Sequence, residues 1–119
     1  MNHQNGRKKL NMKSSYRKAF LRNQLIHLIT YGTLKTTKAN AREVKRFAEK
    51  LVTIARRGND FTNRRLAARL LPYKQEALNK LFKEIAPRYT ERPGGYTRLV
   101  PMGRRMGDLA TISRLEWVM

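Results

Sequence analysis

Groups able to do chemistry are few in this chain. Two histidines and eight acids are its main groups for metal binding and for proton transfer near neutral pH, and with no cysteine it has no thiol chemistry across 119 residues. His3 sits in a basic opening stretch and His27 in an apolar one, so their contexts share nothing. His27 reads as a partly buried helix residue rather than a general base. No two acids fall at a spacing that stacks them on one helix face, which leaves neither a paired-carboxylate acid–base site nor a metal cage. Gly94-Gly95 lacks the Gly-Lys-Ser/Thr that completes a phosphate-binding loop and does not open a helix. A nuclease working through His and Lys has no positive signal. The sequence does not read as an enzyme.

Its cations are the stronger signal. Lys and Arg number 27 against 8 acids, a formal charge of +19. At 40% hydrophobic residues the chain is nevertheless too apolar to be a wholly disordered basic arm. Ten cations precede the first acid, Glu43: Arg7, Lys8, Lys9, Lys13, Arg17, Lys18, Arg22, Lys35, Lys38 and Arg42. Such imbalance repels itself in the free domain and points to a polyanionic partner: nucleic acid, an anionic membrane or an acidic protein. The longest aliphatic-rich run, 25–29, is far too short to span a bilayer, and no apolar stretch follows the first basic residues as a secretory signal requires. An acid-free basic opening does match an organelle transit peptide in composition.

The elements that must position these cations follow from pattern. Residues 1–13 show no apolar period and read as a basic extension. Ser14 or Ser15 caps a helix that runs to about Tyr31 and stops at Gly32. Beyond Phe20 it is apolar on several sides, as a central core helix would be. Thr33 to Thr37 reads as a brief strand, with Thr36 or Thr37 capping a second helix over about 38–57. There Ala41, Val44, Phe47, Ala48, Leu51, Val52, Ile54 and Ala55 fall within an arc of about 160°, with every charged residue outside it. A third helix starts at Asp60 or Thr62 and stops near Pro72. A fourth, over about 74–86, buries Ala77, Leu78, Leu81, Phe82, Ile85 and Ala86. Strands over 96–102 and 110–118 flank a hairpin loop at 103–108, and Pro101 marks the first as an edge or a bulge. The expected fold is α+β: about four helices with a small sheet of about three strands, one domain over 14–119 behind the 1–13 extension.

Four basic clusters emerge on that frame. Arg7, Lys8, Lys9, Lys13, Arg17, Lys18 and Arg22 lead from the extension into a helix N-terminus, itself favourable to anions. The polar face of the second helix fits either a solvated surface, with Glu43 and Glu49 pairing locally, or direct RNA contact. Arg64 and Arg65, with Asn63 and Arg69, open the third helix. Arg88, Arg92, Arg98, Arg104 and Arg105 spread over a turn, a strand and the hairpin tip. Lys35 stands alone on the first short strand. Arginine supplies 16 of the 27 positive charges, and its planar fork grips phosphate bidentately or stacks on bases. The glycines of 94–95, 103 and 107 read as turn geometry and also permit close approach to phosphate. Trp117 and Phe47 read as core; Tyr96 suits a core position or a stacking platform. A rival reading takes the second and third helices as a DNA-reading helix-turn-helix, with Asn63, Arg64 and Arg65 facing bases.

In order and separation, Gly6-Arg7 with Leu10, Ser14-Ser15 before Arg17, and Leu21-Arg22-Asn23 form a recognisable series. It continues with Lys35-Thr36-Thr37, Asn63-Arg64-Arg65, Leu81-Phe82, Pro87-Arg88-Tyr89 and Gly94-Gly95-Tyr96-Thr97-Arg98. On these motifs the chain, from about His3 to Val118, resembles the bacterial large-subunit ribosomal protein seventeen family. It departs from the family at the hairpin, where Leu109-Ala110-Thr111-Ile112 replaces the usual Asn-Ala-Pro-Met. The resemblance implies a small α+β structural constituent of the large ribosomal subunit, present as a single copy without homo-oligomers. It implies contact with large-subunit rRNA and neighbouring ribosomal proteins on the solvent side near the peptide tunnel exit. No catalysis, cofactor, metal or membrane role is implied. The expected location is the cytoplasmic ribosome, though an organelle ribosome would present the same sequence. Similarity beginning at His3 marks the extension as mature protein rather than a transit segment.

Overall fold

The computed structural model describes residues 14–71 and 75–118. The 1–13 extension, with Arg7, Lys8, Lys9 and Lys13, lies outside the described residues, as does the expected start of the fourth helix at Lys74. Helix α1 spans Ser14–Tyr31 and buries Leu21, Leu25, Leu28 and Ile29. Gly32 ends it in the left-handed conformation at φ +82°, with its N–H donating to the Leu28 carbonyl at 2.8 Å. Only a residue without Cβ takes that conformation without cost. His27, expected to be partly buried, is exposed, its ring centroid 4.7 Å from that of Tyr31 one turn on. The core face of α1 is already filled by the aliphatic residues.

Strand β1, Thr33–Thr37, leads into α2, Lys38–Ala55, where the Thr37 hydroxyl accepts from the Asn40 N–H. That bond satisfies one of the donors a helix start leaves unpaired. The apolar arc of α2 is inside as expected: six of its residues are buried, and Phe47 and Ile54 pack half-buried against them. The charge segregation is not complete, however. Glu43 is buried at the margin of the arc, with Arg46 Nη1 3.8 Å from its Oε1. Its flexible stem lets a residue at the boundary tuck in when the packed surface is wider than the apolar stripe.

Helix α3 runs over Phe61–Ala68, capped by the Asp60 side chain, which accepts from the Asn63 N–H at 2.8 Å. It ends before the expected stop near Pro72, because the amides of Arg69 and Leu70 bond three residues back to Leu66 and Ala67 and tighten the last turn. Helix α4, Gln75–Lys80, widens into a π-turn over Leu81–Ile85, where the Ala86 N–H donates to Leu81 O, five residues back. A 3₁₀ turn over Ala86–Tyr89 follows. Pro87 therefore does not end the helical path: it sits in the opening of the 3₁₀ turn, where its missing N–H costs nothing. All six apolar residues expected on the fourth helix are buried.

Strands β2, Thr97–Arg104, and β3, Thr111–Trp117, complete an antiparallel sheet in the order β1-β3-β2. The last strand in sequence is thus the central one. Ser113, Leu115 and Trp117 face the helices and are buried, and Trp117 Nε1 donates to the Leu28 carbonyl at 3.3 Å, tying β3 to α1. Pro101 is on an edge strand and beside a bulge, since pairing skips Met102 between Pro101 and Gly103. The bulge carries β2 two residues beyond its expected end. The hairpin tip consequently closes from Arg105 to Ala110, and Leu109, rather than Gly107, takes the left-handed backbone at φ +57°. Helix α2 packs against all three strands, α1 and α3, so the helices cover one face of the sheet. The fold is α+β, with four α-helices and three strands among the described residues.

Candidate nucleic-acid interface

Electrostatic asymmetry starts with the acids, several of which are engaged by groups of the protein itself. Glu49 reaches from α2 to the start of β2, where its carboxylate accepts from the Tyr96 and Thr97 amides at 3.2 and 2.8 Å and from the Thr97 hydroxyl at 2.6 Å. This replaces the expected local pairing of Glu49 on a solvated face. Asp60 caps α3, Asp108 pairs with Arg105 at 2.6 Å, and Glu116 pairs with Arg98 at 2.9 Å. Positive charge is thereby left in excess on the outside.

The expected contact residues fall on several elements. Arg17 and Arg22 are half-buried and Lys18 exposed on the first half of α1. Arg22 Nη2 donates to the Arg69 carbonyl at 3.4 Å, which joins this cluster to the end of α3. Arg65 is exposed on α3, whereas Arg64 is turned to internal work. The Arg64 guanidinium donates to the side-chain carbonyls of Asn59 and Asn79 and lies 5.2 Å from the Phe82 ring centroid, a cation–π contact that bridges α3 and the π-turn. Asn63 is buried and donates to the Gly58 carbonyl at 3.1 Å. Two of the three residues that a DNA-reading third helix would turn to bases are thus occupied within the protein.

Arg88 and Arg92 are exposed and line a shallow cleft with Tyr89, Glu91 and Pro93. Burial raises the Tyr89 phenol, and its O–H donates to the Val118 carbonyl. Tyr96, the residue that suited core or stacking platform, is core: it is 1% exposed, with its ring 5.2 Å from that of Tyr89. Its hydroxyl accepts from Arg56 Nη1 at 3.3 Å, while Arg56 Nη2 donates to the Thr90 carbonyl at 2.7 Å. Arg104 and Arg105 are exposed at the hairpin tip. The Arg105 hydrogen bond, helped by the Ala110 amide, lowers the Asp108 carboxyl to about 2.

Lys35 and Arg98 come together on the face of the sheet that the helices leave uncovered. The register places Lys35 opposite Arg114, and Arg98 opposite Glu116. Arg114 is a surface cation that the sequence pattern did not single out. Its signal is the alternation of 113, 115 and 117 against 114 and 116, legible only once register fixes which set is buried. Among the described residues no group of three or more His, Cys, Asp or Glu could hold a metal ion, and no helix is long and apolar enough to cross a membrane.

A small α+β scaffold that presents arginines from helices, turn, hairpin and sheet has the charge distribution of a protein that binds a polyanion. The family description of ribosomal protein L17 matches residues 20–118. "Large ribosomal subunit protein bL17" of Desulforudis audaxviator is 45% identical, covering 95% of this chain and 99% of its own. The protein of that name from Gemmatimonas aurantiaca is 43% identical over 100% of this chain and 99% of its own, and that from Trichlorobacter lovleyi 39% over 99% and 94%. The chain belongs to the ribosomal protein L17 family.

Proposed function

We propose that this chain is a structural constituent of the large ribosomal subunit that binds and stabilises large-subunit rRNA by neutralising phosphates. The disposition of charge carries the reading: Glu49, Asp60, Asp108 and Glu116 are held by the protein itself, while Lys18, Lys35, Arg65, Arg88, Arg92 and Arg104 stand exposed around it. The described residues supply these cations at fixed positions, and the 1–13 extension adds Arg7, Lys8, Lys9 and Lys13. Arg17, Arg22, Arg98 and Arg105 complete the surface, with Arg64 contributing chiefly through the packing it holds. The protein sits as a single copy in the cytoplasmic ribosome against rRNA and adjoining proteins, and turns over no substrate.

The test is equilibrium binding of the purified chain to large-subunit rRNA over a salt series. Removing one phosphate-neutralising cation lowers the slope of log affinity against log salt by roughly 0.7–0.9. Reversing Arg65 and Arg88 to Glu is expected to flatten that slope by roughly 1.4–1.8 and to weaken sedimentation with the large subunit. An unchanged slope, or free fractionation of the wild-type protein in moderate salt, overturns the reading.

A further inference from the structure

The uncovered face of the sheet carries more than scattered charge. Its central strand places Arg114 and Glu116 there, with Ile112 buried at one end, flanked by Thr33, Lys35 and Thr37 of β1 and by Arg98 and Val100 of β2. Lys35 lies directly opposite Arg114, and like charges so placed in an antiparallel pair oppose folding. Glu116 serves two arginines at once: Oε1 accepts from Arg98 Nε at 2.9 Å, and Oε2 lies 3.6 Å from Arg114 Nε. That Nε is buried and has no hydrogen-bond partner, while the Arg114 side chain as a whole is 39% exposed. Two arginines thus share one carboxylate, with Lys35 beside one of them. A guanidinium has five N–H donors, and on Arg98 Glu116 takes only one.

We propose that this face is a phosphodiester-binding site, formed by Lys35, Arg98 and Arg114, in which Glu116 is a positioning residue that aims both guanidinium forks. The proposal rests on the rRNA reading above and adds Arg114 and Glu116 to it. A carboxylate in an anion site repels phosphate as a point charge. Here each of its oxygens is turned to one arginine, so its orienting effect on two forks outweighs that repulsion once they bind phosphate bidentately. Among the described residues this face has no aromatic ring, and a protein partner would need an apolar or aromatic anchor that the half-buried Val100 alone does not make. A phosphate backbone needs only forks and charge.

Two variants of the full chain test this against large-subunit rRNA, with each variant's thermal midpoint measured alongside. Arg114→Lys keeps the charge and loses the fork; affinity is expected to fall about fivefold. Glu116→Gln raises the net charge by one, which simple electrostatics would reward with tighter binding. Positioning predicts the reverse, about three- to tenfold weaker. Tighter binding by Glu116→Gln, or wild-type affinity in Arg114→Lys, overturns the proposal. So does displacement of the rRNA by an acidic peptide in the wild type but not in Arg114→Lys, which would assign the face to a protein. If Glu116→Gln fails to fold, Arg114→Lys on the exposed face decides alone. Absence of rRNA binding by the wild type would instead sink the ribosomal reading itself, so the two failures are distinguishable.

Discussion

Glu49 and Asp108 are both carboxylates that bond backbone near β2, one beneath its first residues and one beyond its hairpin end. Glu49 is half-buried and reaches across 47 and 48 positions of sequence to the Tyr96 and Thr97 amides. Asp108 is exposed and closes on Arg105, three residues away, and on the Ala110 amide at 3.1 Å. The same functional group therefore does two different jobs. At the buried end it is the acceptor for amides that have lost water, so removing it strands donors. At the exposed end water replaces it at once. In a chain with only 8 acids, position decides whether an acid holds the fold or only shapes a loop.

The largest effect should come from Glu49→Ala. Tyr96 and Thr97 are buried, and their amides would be left without an acceptor. A loss of roughly 2–3 kcal/mol in unfolding free energy is expected. Glu49→Gln keeps one oxygen but sets an NH₂ against a donor, and should recover only part of that. Urea denaturation of the three proteins measures it. A loss below about 0.5 kcal/mol in Glu49→Ala would erase the distinction between the two ends.

Why Glu49 escapes a sequence reading is instructive beside what does not. The α2 arc, the Thr37 and Asp60 caps and the Gly32 stop are all legible, because each is a rule linking residues within a few positions. Glu49 and Glu43 look alike on a polar face, but one latches β2 and the other is buried at the arc's margin. No local rule separates them; only the packing of β2 against α2 does. The same holds for the site. That arginines at the turn and hairpin tip stand outside can be read from their setting. That Arg64 is held by Asn59 and Asn79, or that Lys35 faces Arg114, depends on contacts and register across the fold. The bulge at Pro101 shifts the tip by two residues, which sequence alternation cannot fix.

A middle case lies between the two ends of β2. Tyr96→Phe keeps the buried ring and its contact with Tyr89 but removes the hydroxyl that accepts from Arg56. That bond is long at 3.3 Å, and Arg56 retains the Thr90 carbonyl at 2.7 Å. The expected loss is about 0.5–1 kcal/mol, again by urea denaturation. A loss equal to that of Glu49→Ala would mean that burial alone, and not the stranding of donors, sets the scale.

The smallest effect belongs to Asp108. Its carboxyl is depressed from 3.8 to about 2 by the Arg105 hydrogen bond first, then by the Ala110 amide. A depressed carboxyl favours the folded state above the unfolded value and loses that contribution as pH falls through the folded one, so the window runs from about 4 down to about 2. Both partners are exposed, so the contribution is local and screened by salt. Followed by carboxyl NMR, Asp108 should titrate near 2 with the Ala110 amide shifting in step, while the core signals of Leu115 and Trp117 stay in place. Asp108→Asn should leave the thermal midpoint at neutral pH unchanged and abolish the Ala110 transition. If the midpoint fell as far as in Glu49→Ala, the exposed tip would be holding the sheet as firmly as the buried latch does, and the contrast between the two carboxylates would collapse.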